Sequence, residues 1–402
     1  MEEMLALLLI LGLVTSLTAW PGVDDFDVFD YGATGLGQTD DSQAFVDAWR
    51  DACKAETPSA RVIVPEGSTF LLKPLMFHGP CKPQIIHFII SGTIIASGSL
   101  ETWKDLDLSQ WIAFQNVTRL NVYGSGLLDG QGKHWWDRSC RYHPDQEGCT
   151  KLAPTVLKFL SCNEGRLSNI YIVNSPQTHV LISDSKGFYV NNVMIQSPQD
   201  SPNTDGIHIH SSHTIKITNS VIGTGDDCIS IGDYSSNIDI SNIECGPGHG
   251  ISIGSLGRDG DMVLVENIHI RDSSFKGTTN GARIKTWQVG RGNVRHVIFE
   301  NLVFDTVDNP IIIDQNYCDV PGTCKEQKSG VKISDVAYKN LYGTSSTNIA
   351  INLDCSRFVP CSGISLENIR LSSIKPGKSL SANCINVQGT EVGVNPGSCL
   401  RN

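Results

Sequence analysis

Two short stretches, Leu167-Ser168-Asn169-Ile170-Tyr171-Ile172 and Val190-Asn191-Asn192-Val193-Met194-Ile195, decide the fold. In each, aliphatic residues, mostly β-branched, take alternate positions on both sides of an asparagine. Alternation at period two is the pattern of a strand with one buried face. The asparagine between the two half-phrases marks a turn. Later copies centre on Asn219, Asn242, Asn267, Asn301 and Asn368, with Asp335 standing in once. Successive centres lie 23, 27, 23 and 25 residues apart, then 34, 34 and 33.

A repeat of this length, with short strands and few helical patterns, describes a solenoid. One coil cannot bury its own inward face, whereas stacked coils bury a continuous core. Parallel stacking sets equivalent strands ~4.8 Å apart. Leucine-rich repeats would need a Leu consensus where this chain has Ile and Val, and a propeller would need antiparallel hairpins. The expected fold is therefore all-β, a right-handed parallel β-helix. The repeated Asn is expected to bond the turn backbone and stack on its neighbours.

One helix is legible near the start. Phe45, Ala48, Trp49, Ala52 and Cys53 share a face, with N-cap candidates from Thr39 to Ser42. It is read as the cap over the open end of the solenoid. No linker or low-complexity stretch divides the 402 residues, so residues 20–402 are expected to form one domain. Residues 1–19 read as a signal peptide, apolar from Leu5 to Leu17, although Glu2 and Glu3 replace the usual basic start. Secretion to the extracellular space is the implied destination, with no membrane span.

Thirteen cysteines fit an oxidising compartment. Sequence neighbours offer the pairs Cys140/Cys149, Cys228/Cys245, Cys318/Cys324, Cys355/Cys361 and Cys384/Cys399, with Cys53/Cys81 as a longer one. Cys162 is left over. No clustered Cys or His set supplies four zinc ligands, so neither a metal nor any other cofactor is expected. Asn116-Val117-Thr118 is a glycosylation sequon. A net charge of −11 argues against a nucleic-acid partner. A monomer is expected.

Four polar clusters break the repeat: Asn203-Thr204-Asp205, Asp226-Asp227, Gly248-His249-Gly250 and Arg283-Ile284-Lys285. From Asp205 to Asp227 and on to His249 the step is 22 residues; from His249 to Arg283 and on to Tyr317 it is 34. Because these steps match coil lengths, the five residues are expected in equal phase along one groove. Arg283 and Lys285, two apart on a strand, would face the same way. Carboxylates on adjacent coils, ~5 Å apart, repel one another, and at least one pKa should rise. A protonated and an ionised carboxyl together can hydrolyse a glycoside. Two cations beside them would clamp an anionic sugar. The groove suits an acidic polysaccharide.

These motifs resemble the polygalacturonases, the pectin-cleaving hydrolases of glycoside hydrolase family 28, most of all the plant members, and the likeness runs from Phe26 onward. The resemblance implies a β-helix, metal-free hydrolysis with inversion, and a cell-wall substrate. It makes Asp226 the proton donor and gives Asp205 and Asp227 the water. His249 would tune or shuttle the donor's proton, while Arg283, Lys285, Tyr317 and Asn203 would bind the galacturonate. A carboxyl spacing of ~5 Å taken alone would suit retention instead. His208, His210 and His213 read as coil surface without a role. Endo action is favoured over exo because no obvious insertion closes the groove. A pectate lyase and a wall-binding β-helix with a dead groove are the rival readings.

Overall fold

The computed structural model describes residues 22–318, 324–397 and 399–400. The expected signal peptide lies outside the described residues. Alternating chain segments wind into coils whose strands pair in parallel. One face is an 11-stranded sheet that runs from Leu75–His78 to Ser381–Ile385. The other faces form a 19-stranded sheet. This is the right-handed parallel β-helix that the alternation predicts.

Register shows why Ile dominates. Ile207, Ile229, Ile251, Ala282, Ile311 and Ile351 are consecutive partners across the 11-stranded sheet. All six are 0% exposed. A buried Ile side chain contributes roughly 1.5–3 kcal/mol over an exposed one. A single coil would leave such a column open on both sides.

The asparagines hold the turns in a way that differs in detail from the expectation. Asn169, Asn192, Asn219, Asn242, Asn267, Asn301 and Asn368 all adopt positive φ between 52° and 59°, as does Asp335. Asn tolerates that left-handed region better than most residues. Their side chains donate to polar side chains of the preceding coil and not to the turn backbone: Asn192 Nδ2 donates to Asn169 Oδ1 at 2.8 Å and Asn242 Nδ2 to Asn219 Oδ1 at 3.1 Å, while Asn219, Asn267, Asn301 and Asn368 donate to Asn191, Asn237, Asp272 and Asn340. Each turn is thus tied to the next coil's turn.

The capping helix spans Ser42–Lys54 and buries Phe45, Ala48, Trp49 and Ala52. Trp49 packs its ring against Phe77 at 5.1 Å and Phe114 at 5.4 Å, closing the end of the core. Asp41 is the N-cap residue but makes no side-chain cap bond. Its carboxylate instead accepts from the Thr34 backbone and hydroxyl. All six disulfides are those the neighbouring cysteines offered, and Cys162 is free and buried. Asn116 is exposed. Among the described residues no helix is long and apolar enough to cross a membrane.

Candidate active site

The polar clusters meet at the middle of the 11-stranded face. Asp205, Asp227 and His249 occupy equivalent positions, each in the turn two residues before a strand of that face. The turns are laced together: Gly206 N donates to Asp227 O, and Cys228 N to Gly250 O. Buried Thr204 accepts from Gly225 N at 3.0 Å through its hydroxyl, setting the Asp226-Asp227 turn on the coil before. The glycines around His249 have a steric reason. A side chain on Gly250 (φ 84°) would place Cβ 2.1 Å from Asn280 O, and one on Gly248 (φ 149°) 2.7 Å from Asp226 O.

Equal phase ends there. Arg283 is the register partner of Ser252, and the position equivalent to His249 belongs to Asn280. Tyr317 pairs with Trp287, four residues beyond Arg283. The two 34-residue steps therefore coincide with coil length by accident, because loops of differing size separate these strands. Side-chain reach, and not backbone phase, brings Arg283 and Lys285 to the aspartates.

Both cations grip Asp227. Arg283 Nη2 lies 2.5 Å from Asp227 Oδ1, and Lys285 Nζ 2.9 Å from Oδ2. Ser252 Oγ also donates to Oδ1 at 2.8 Å and accepts from Arg283 Nε at 2.8 Å. Lys285 Nζ stands 5.4 Å from the Tyr317 ring centroid, within cation–π range, and that ring meets Trp287 edge-on at 5.3 Å. So Tyr317 braces Lys285.

Asp226 is held differently. His249 Nδ1 lies 2.9 Å from its Oδ1, which also accepts from Asp227 N at 2.9 Å. Asn203 Nδ2 reaches its Oδ2 at 3.4 Å, so this asparagine orients a carboxyl of the site. Burial alone would raise the Asp226 pKa. The hydrogen bond and charge of His249, with the charges of Lys285 and Arg283, outweigh burial and hold the carboxyl well below the usual range. Asp205 shifts the other way. Burial, then repulsion from Asp226 and Asp227, lift it well above the usual range against a hydrogen bond from Ser230 and the charge of Lys285. The carboxyls split as expected, with Asp205 and not Asp226 the one pushed up.

Ligand atoms of Asp226, Asp227 and His249 lie within 4.8 Å of one another, a spacing that could hold a cation. Both oxygens of Asp227 already face protein cations, so the cluster's charge is balanced from within.

Three residues escaped the sequence reading. Ser230 Oγ donates to Asp205 Oδ2 at 2.7 Å, and His208 Nδ1 lies 2.7 Å from the same hydroxyl. His179, fully buried, places Nδ1 3.0 Å from the Asp205 carbonyl and Nε2 2.8 Å from Ser197 Oγ. A carbonyl only accepts, so Nδ1 carries the hydrogen and the neutral ring accepts from Ser197. The signal for His208 and Ser230 was present: Ile207-His208-Ile209, Ile229-Ser230-Ile231 and Ile251-Ser252-Ile253 repeat at the 22-residue step of the aspartates.

The sequence profile of Glycosyl hydrolases family 28 matches residues 53–399. The chain belongs to this family. It is 45% identical to Polygalacturonase QRT2 of Arabidopsis thaliana over 90% of this chain and 81% of that one. Among solved structures, the polygalacturonase of Erwinia carotovora is 25% identical, with a TM-score of 0.72 over 91% of this chain and 96% of that one. The endo-xylogalacturonan hydrolase of Aspergillus tubingensis, at 23% identity, shares the fold with a TM-score of 0.77 over 93% of this chain and 99% of that one. Membership makes the chain a glycoside hydrolase.

Proposed function

We propose that this chain is a secreted polygalacturonase that hydrolyses α-1,4-galacturonosyl linkages of demethylated pectin with inversion. The observation that carries the reading is the pair of basic side chains, Arg283 and Lys285, converging on a carboxylate cluster in the groove. A neutral glycan would have no use for cations there, whereas a uronide carboxylate would. The six disulfides agree with an extracellular setting.

Asp226 donates its proton to the leaving oxygen, and Asp205 and Asp227 hold the attacking water. Asp226 is ionised in the free protein, so it must gain its proton in the complex. Charge supplies the reason. A substrate carboxylate placed against Lys285 and Arg283 cancels two of the influences that hold Asp226 down. His249, hydrogen-bonded to Asp226, is placed to deliver the proton.

Endo action is supported by position. The site strands from Ile207–His210 to Asn280–Trp287 have four strands of the same sheet before them and three after. A polymer can extend both ways along such a face. Incubation with polygalacturonate tests the reading: viscosity should fall ahead of reducing-end release, with no 4,5-unsaturated product. Proton NMR should show the β-anomer first. An ultraviolet-absorbing product would point to a lyase, and an initial α-anomer to a covalent intermediate.

A further inference from the structure

We propose that His208, acting through Ser230, carries away the proton that Asp205 takes from the attacking water. The inference rests on the hydrolytic reading above and adds a second imidazole to the proton traffic of the groove. Asp226 touches its histidine directly, through His249 Nδ1 at 2.9 Å. Asp205 reaches one through a single hydroxyl, with 2.7 Å on either side of Ser230 Oγ.

Ser230 is 2% exposed, so little solvent can take the place of either partner. A serine hydroxyl has one proton to give. When Asp205 is ionised, that proton points at Oδ2, and Oγ accepts from His208 Nδ1–H. When Asp205 is protonated, the carboxyl donates to Oγ, and the hydroxyl points at a bare Nδ1. The step between these states balances. The Asp205 proton moves to Ser230 Oγ while the Ser230 proton moves to His208 Nδ1. A carboxylate, a hydroxyl and an imidazolium result. The half-buried ring then releases its Nε2 proton to solvent and is left as the Nδ1–H tautomer, which donates to Ser230; exchange with solvent that removes the Nδ1 proton and returns one to Nε2 resets the ring for the next transfer.

Register builds this path into the coils. His208 and Ser230 are direct partners in the sheet, and Ser252 is next in the same column. Ser252 repeats the device one coil on, donating to Asp227 while it accepts from Arg283. The column therefore ends in an imidazole at the Asp205 side and in a guanidinium at the Asp227 side. Only the imidazole can accept a proton.

The charges around the path are these. His210 lies alongside His208 with ring centroids 6.4 Å apart. Burial, then His210, with Lys285 adding to them and Asp227 opposing, lower the His208 pKa to about 4. Burial, Asp226 and Asp227 hold a proton on Asp205, the charge of Lys285 favours its release, and the His179 ring sits on the Asp205 carbonyl. His208 thus passes a proton without storing it.

Ser230→Ala and His208→Gln should each lower kcat about ten- to a hundredfold, less than loss of a whole general base. KM should hardly move. In the double variant the losses should not add, because both cut one path. Glutamine can still donate to Ser230 but cannot carry a proton, so it separates orientation from transfer. Imidazole in the buffer should restore turnover to His208→Ala and not to the His208→Ala/Ser230→Ala pair. Wild-type kcat and pH profile in His208→Gln would overturn the proposal. So would losses that imidazole never rescues and that follow melting temperature. If wild-type protein cleaves polygalacturonate and the variants match it, this inference alone fails; an inactive wild type would sink the substrate reading instead.

Discussion

Asp227→Asn tests the centre of the charge arrangement. The substitution keeps the shape of the side chain and removes the charge that two cations share. Side-chain exposure is 2% for Asp227, 12% for Arg283 and 9% for Lys285, so water cannot replace the lost partner. Removing one member of a buried pair costs about 3–5 kcal/mol, mostly because the remaining charge is left uncompensated. Here two charges are stranded, and the asparagine NH₂ must point at one of them. A loss near the top of that range is expected. Turnover should fall about 10²- to 10⁴-fold, as for removal of a positioned base. Binding should move the other way, since Arg283 and Lys285 become free for the substrate carboxylate. Reducing-end release measures the turnover, and guanidinium unfolding with disulfides intact, with and without galacturonate, measures stability and binding. Galacturonate should stabilise the variant more than the wild type, because its carboxylate refills the vacated position. Equal unfolding free energies, and equal ligand-induced gains, would show that the cations do not depend on Asp227.

Three further outcomes follow from the same geometry. Asp226→Asn should lose most kcat on polygalacturonate yet recover it on an aryl galacturonide with a nitrophenolate leaving group, which needs no acid; Asp205→Asn should not recover, and the reverse result would exchange their roles. His179, buried and neutral with its pKa lowered to about 4 by burial, should make stability fall as pH drops from about 6.5 towards 4, because the unfolded chain takes up a proton that the folded one refuses. Denaturation across that range should show the slope in wild type and a shallower one in His179→Asn; identical slopes would exclude the ring as the source. Cys162, whose thiol pKa is pushed up to about 11 by burial, should resist alkylation until the protein unfolds, and rapid labelling of the native enzyme would contradict its place under Phe114.

How much of this was legible beforehand depends on the range of the force responsible. The fold was readable because it is set by local alternation. Ile207, Ile229 and Ile251 each follow the strand rule within their own coil, and stacking is the one way to bury all of them. The disulfides were readable for a related reason: five of the six close short segments of one coil and its turn, as Cys355 and Cys361 do across six residues. The aspartates and His249 were readable because their coils are equally long, so spacing in the chain is also spacing in space.

Beyond His249 that equality fails. Loops can lengthen a coil without disturbing strand register, so 34 residues carried Arg283 past the phase of His249 and beside Ser252. Which carboxylate the cations hold, and which one is pushed up, depend on side-chain reach across neighbouring coils and on the desolvation there. His208 and Ser230 look like ordinary outward strand residues in the chain. They become a path to Asp205 only because coil stacking sets two outward side chains and a turn carboxylate within hydrogen-bond distance. The sequence alone determined the coil, its core and the identities of the acids. The tertiary structure decided their partners, because ionisation and proton placement are properties of neighbours that the chain order does not contain.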